Sequence, residues 1–165
     1  MEFNLHELFE MARQIERNGV RFYSHLANIS VDPVRQQLFA ELAAMEHQHE
    51  QAFTEMRDKL ARGAVRQQAA HAAGEQRMEY LWAWVDKHVF DTSADPLAKL
   101  QGSETTKDLL HMAIGLEKDS IVFYQGLRDS LPTADTQVGV AEIIAEEMQH
   151  IARLAGMIGS LEAGT

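Results

Sequence analysis

The chain carries one helical signature twice, 101 residues apart, and this repeat constrains its fold more than any other feature. Glu16, Tyr23, Glu46 and His49 in the first copy become Glu117, Tyr124, Glu147 and His150 in the second. The correspondence runs without a gap from Met11–Met56 to Met112–Met157. It also pairs Phe22 with Phe123, Gln36 with Gln137 and Glu41 with Glu142. Agreement in both residue type and spacing marks duplication of one structural unit.

Each unit reads as a helical hairpin. From about residue 3 to 29, Leu5, Phe9, Ala12, Ile15, Gly19, Phe22, Tyr23 and Leu26 recur at threes and fours, and Glu16 lies on that apolar stripe. Val31-Asp32-Pro33 ends the helix and offers Asp32 as N-cap with Pro33 at the first helical position. A second helix runs to about residue 60, with Leu38, Leu42, Glu46, His49, Phe53 and Met56 on one face. In the second half, capping residues lie around Ser103–Thr106. The third helix follows with Leu109, Leu110, Ala113, Leu116, Glu117, Ile121, Tyr124 and Leu127. The fourth, from about Asp135 to Leu161, turns Val140, Ile143, Ile144, Glu147, His150, Leu154 and Met157 inward.

The turns set the height of the carboxylates. Val31 is 15 residues from both Glu16 and Glu46, and Pro132 is 15 from both Glu117 and Glu147. An antiparallel hairpin folded at such a midpoint holds both glutamates at one level along the bundle. Each hairpin therefore presents two carboxylates and one imidazole together. Residues 61–102 are too long for a tight connection. Met78, Leu81, Trp82, Val85 and Val89 keep helical spacing, which predicts a short helix over about Gly74–Phe90. A crossover of this length is expected to start the second hairpin at the same end as the first. The result is a single all-α domain: hairpin 1 at about 3–60, crossover at about 61–102, and hairpin 2 at about 103–162.

Composition narrows the function. A formal charge of −10 disfavours nucleic acid and anionic membrane surfaces as partners. The 165 residues contain no cysteine, so disulfides, thiolate ligands, iron–sulfur clusters and thiol nucleophiles are excluded from them. No apolar run reaches the roughly 18 residues of a membrane span, and residues 1–10 lack the pattern of a signal peptide, so a cytoplasmic location is expected.

On a helix, Glu and His at i and i+3 are about 60° apart and ~4.5 Å along the axis, close enough to ligate neighbouring points of one cavity. A single Glu-x-x-His is usually a solvated pair. Two copies, each preceded 30 residues earlier by a glutamate on an apolar stripe, point to metal. Four carboxylates and two imidazoles suit two iron ions, with manganese or zinc as alternatives. Two dications neutralise four carboxylates. Oxidation to trivalent ions calls for bridging anions, which is the chemistry of oxygen or peroxide at a dimetal centre. Without metal the carboxylates repel and take up protons, so metal removal is expected to weaken the fold.

Tyr23 and Tyr124, two turns from their glutamates, are read as hydrogen-bond donors to a ligating carboxylate of another helix. Glu50 and Glu146 flank the ligands and read first as surface residues, with support of a ligand from outside, or a spare carboxylate, as the alternative. His6, His25, His47, His71 and His111 read as solvent-facing. Tyr80, Trp84 and His88 form a second face on the crossover helix, for a dimer contact or for packing over the bundle, and a homodimer is expected.

With a Glu and a Glu-x-x-His in each half, the chain resembles the rubrerythrin and bacterioferritin branch of the ferritin-like di-iron carboxylate proteins. The resemblance covers both hairpins and omits the crossover. It implies a ferritin-like four-helix bundle with one long crossover. The iron ligands would be Glu16, Glu46, His49, Glu117, Glu147 and His150, with Glu46 and Glu147 bridging. Two departures qualify the likeness. Rubrerythrins carry a further carboxylate three residues after the third-helix glutamate, where this chain has Ser120, and they usually add a cysteine-ligated rubredoxin domain. Electrons must then come from an external donor. Bacterioferritin cages use a helix beyond the fourth, whereas 15 residues follow His150 here, so a storage shell is not expected. The implied function is a non-haem di-iron oxidoreductase acting on peroxide or dioxygen. A cage-free ferroxidase or iron-handling protein and a structural metal protein are the alternatives.

Overall fold

The computed structural model describes residues 5–64 and 95–164. Among them are four long helices: α1 (Leu5–Ile29), α2 (Pro33–Ala64), α3 (Thr106–Ser130) and α4 (Ala134–Ala163). A 3-10 turn at Pro96–Lys99 precedes α3. The predicted crossover helix at Gly74–Phe90, the face of Tyr80, Trp84 and His88, and His71 lie outside the described residues.

Local chemistry starts each helix. Asp32 accepts from the Val34 amide at 2.9 Å, and Pro33 opens α2 where no amide donor is required. Thr105 and Asp108 form a reciprocal capping box at α3. Thr133 accepts from the Thr136 amide at α4. Helix α2 continues to Ala64, past the expected end near residue 60.

Helix α1 packs along α2 and α3 along α4, with fewer contacts between the two hairpins. The apolar core falls into two clusters. One holds Leu8, Phe9, Ala12, Ile15, Phe53, Phe123, Tyr124, Leu127, Val140 and Ile144; the other holds Phe22, Tyr23, Leu26, Leu38, Leu42, Leu110, Ala113 and Leu154. In every helix the break between them falls at the ionisable positions: 16, 46–49, 117 and 147–150. A polar layer is thus sealed between two apolar ones.

The clusters also fix helix direction. Helix α1 runs from the first cluster to the second and α2 returns, whereas α3 runs from the second to the first and α4 returns. The second hairpin therefore starts at the opposite end from the first, which corrects the expected placement. Helices α2 and α3 run parallel, and the turns at 30–32 and 131–133 lie at opposite ends. Leu97 and Leu100 join the second cluster, where α3 begins, at the opposite end of the bundle from the end of α2. A two-fold perpendicular to the helices now relates the hairpins, and every site residue acquires a mate by adding or subtracting 101.

Candidate metal centre

Glu16 comes from α1, Glu46 and His49 from α2, Glu117 from α3, and Glu147 and His150 from α4. All six side chains are buried, none more than 4% exposed. The structure brings them together in two overlapping sets of four. Glu16, Glu46, His49 and Glu147 form one; Glu46, Glu117, Glu147 and His150 form the other. Within each set, one donor atom per residue lies within 4.8 Å of all the others. Glu46 and Glu147 occur in both sets, so each can span two cation positions.

The imidazoles turn Nδ1 inward. His49 Nδ1 is 3.1 Å from Glu147 Oε1 and 3.6 Å from Glu16 Oε2. His150 Nδ1 is 2.7 Å from Glu147 Oε2, 3.3 Å from Glu46 Oε1 and 3.5 Å from Glu117 Oε1. The two rings stack with centroids 5.7 Å apart. Of these contacts only that of His49 Nδ1 with Glu147 Oε1 is aligned as a hydrogen bond. Glu16 Oε2, Glu46 Oε1, Glu147 Oε2 and both nitrogens of His150 are buried without an aligned hydrogen-bond partner. Natural interiors rarely tolerate such groups unless something else satisfies them. Oxygen and nitrogen donors converging in this way fit hard or borderline divalent cations.

Two tyrosines lock the carboxylates across the hairpins. The Tyr23 hydroxyl donates to Glu117 Oε1, and the Tyr124 hydroxyl donates to Glu16 Oε1. Each bond is the mate of the other under the repeat. Burial, then the neighbouring carboxylate charges, holds both phenol pKa values well above the ordinary range, so both remain donors.

In the metal-free state the six groups share protons. Burial raises Glu16, Glu46 and Glu117, and the charge of a neighbouring glutamate raises each further. Burial also opposes ionisation of Glu147, but the adjoining His150 and His49 imidazoles bring it down to about 2. For His49, burial disfavours the cation; contacts with Glu147 and Glu16 outweigh it and push the pKa up to about 12. His150 likewise reaches about 11 through Glu117, Glu147 and Glu46. Protons do the neutralising that cations would otherwise do.

Other positions depart from the sequence reading. Glu146 follows the alternative reading over the surface one: its Oε2 lies 2.8 Å from His49 Nε2, with the side chain 46% exposed. Glu50 is half-buried and accepts from Arg17 Nε at 2.7 Å and Arg13 Nη2 at 3.4 Å. His25 is half-buried, while His6, His47 and His111 are exposed, and none of them joins the cluster. Gly19, counted only as part of the apolar stripe, gives Glu46 its room. A Cβ there would lie 2.8 Å from Glu46 Oε2 and 3.0 Å from its Cδ. A glycine in mid-helix one turn from a buried glutamate was the available signal.

No family model matches the chain, and no curated protein matches it closely enough to carry an argument. The crystal structure of a candidate ferritin-like diiron-carboxylate protein from Thermotoga maritima matches with a TM-score of 0.71. The two are 28% identical over 94% of this chain and 95% of that one. The fold is ferritin-like, and the buried Glu/His cluster accompanies it here.

Proposed function

We propose that this ferritin-like chain is a non-haem di-iron oxidoreductase that passes electrons from an external donor to peroxide or dioxygen. The observation that supports it best is the pair of four-residue donor sets sharing Glu46 and Glu147. Iron is the metal expected from the donor chemistry and from the description of the similar Thermotoga protein. Glu16, Glu46, His49 and Glu147 would hold one ion and Glu46, Glu117, Glu147 and His150 the other. When bound, the pair of irons supplies the two electrons that reduction of an O–O bond requires.

The protein's own groups prepare that site. Tyr23 and Tyr124 fix one oxygen of Glu117 and of Glu16, and Glu16 turns its other oxygen toward His49. Gly19 lets Glu46 approach α1. The apolar clusters on either side keep bulk water from the layer, which strengthens every charge interaction in it. The 165 residues hold no cysteine, so they carry no rubredoxin-type centre and the reductant must be a separate group.

The test is stopped-flow mixing of the diferrous protein with hydrogen peroxide. Oxidation much faster than that of free Fe(II), followed by reduction back to the diferrous state, is the expected result. Oxidation no faster than free Fe(II) would refute the proposal. Iron retained far above two per chain would instead assign the centre to ferroxidase or iron handling.

A further inference from the structure

We infer that the two metal positions are inequivalent, and that Glu146 makes the position containing His49 the tighter one. The inference rests on the dimetal reading above. Its source is a break in the repeat one layer outside the donors.

All six donors and both tyrosines have identical mates at a spacing of 101. On those residues alone the two positions would be alike. His49 directs Nδ1 into the cluster and Nε2 outward, 2.8 Å from Glu146 Oε2. The mate of this pair is His150 with Met45. Met45 offers a thioether where its mate offers a carboxylate, and its sulfur sits 3.9 Å from Arg153 Nη1. His150 Nε2 is left buried without a hydrogen-bond partner.

The difference bears directly on ligation. An imidazole that donates Nε2–H to a carboxylate is fixed in the tautomer that leaves the Nδ1 lone pair free, and it is the better base for a cation. Losing such a partner typically weakens metal binding by about 10–100-fold. His49 has the partner and His150 lacks it. Glu16, Glu46, His49 and Glu147 therefore fill first, and Glu46, Glu117, Glu147 and His150 fill second. Glu146 touches no ion in this scheme; it is a positioning residue.

Zinc, being redox-silent, is the probe: calorimetric titration of the full chain, with ring-nitrogen NMR of the two histidines at each equivalent. The first equivalent is expected to shift His49 and the second His150. A first dication repels a second, so a gap in affinity alone is not diagnostic; the variants decide. Glu146→Gln should weaken the first step by about tenfold or more and erase the order of filling. Met45→Glu should strengthen the second step instead, through the opposite face of the bundle. His150 shifting first, or an unchanged order and gap in Glu146→Gln, would overturn the inference. If Glu146→Gln fails to fold, an unchanged second step in Met45→Glu overturns it equally. Two zinc ions entering together would sink this inference and leave the dimetal site standing. Failure of zinc to shift either histidine would sink both.

Discussion

Tyr23 and Tyr124 exchange places across the molecule, each donating to the glutamate that lies on the other's helix. A hydroxyl removed from a buried carboxylate leaves an acceptor that water cannot easily reach, and such losses cost about 1–3 kcal/mol. Tyr23→Phe and Tyr124→Phe should therefore each destabilise the protein by about that amount, and by similar amounts, in urea unfolding. A cost confined to one of them would show that the two-fold does not extend to these bonds. Gly19 makes a different demand. Alanine is the better helix former by about 1 kcal/mol, yet its Cβ would come within 2.8 Å of Glu46 Oε2. The propensity gain offsets the strain in the metal-free protein, but nothing restores the displaced carboxylate. Gly19→Ala should shift the metal-free melting temperature only slightly while lowering metal affinity by about tenfold or more. Unchanged zinc binding would mean that Glu46 is not needed where it stands.

At the scale of elements, the hairpins were readable because their boundaries are written in local chemistry. Asp32-Pro33 and Thr105 with Asp108 are short-range signals, and turn midpoints need only the helical rise. Thr105→Ala removes the side-chain acceptor for the Asp108 amide at 3.2 Å. It should cost about 1 kcal/mol in urea unfolding with metal stoichiometry unchanged, because the cap lies at the end of α3 far from the polar layer. What sequence could not convey was direction. Counting from a turn puts Glu117 level with Glu147 but says nothing about which way that hairpin points relative to Glu16 and Glu46. The polarity is visible only when Leu110 and Leu154 are seen packed with Phe22 and Leu42. The same blindness left Glu146 undecided and hid the role of Gly19. Periodicity is read along one helix at a time, and the Glu146–His49 and Gly19–Glu46 contacts are both made between helices.

For the whole molecule, the sealed polar layer makes stability depend on pH and metal in opposite ways. In the metal-free protein, Glu16, Glu46 and Glu117 have pKa values raised above the ordinary 4.5. The folded state then keeps protons that the unfolded chain gives up, so their contribution is full below about 4.5 and declines as pH rises. His49 and His150 act in the same direction: folded values of about 12 and 11 against 6.5 make their contribution full below 6.5 and progressively lost above it. Glu147 is opposite in sign. Lowered to about 2, it stabilises above 4.5 and loses that contribution as pH falls toward 2. The metal-free protein should therefore be most stable in mildly acidic solution, between about pH 4 and 6, and weaken steadily toward pH 9. Metal must displace the shared protons, so its affinity rises with pH over the same range. At a hundredfold excess over its dissociation constant, a bound ion adds about 2.7 kcal/mol. The melting temperatures of loaded and chelated protein should accordingly diverge as pH rises from 5 to 8, the chelated curve falling while the loaded one holds. Scanning calorimetry at several pH values, with and without chelator, measures both curves. Parallel curves would mean that the six buried groups exchange no protons for metal, contrary to what their geometry requires.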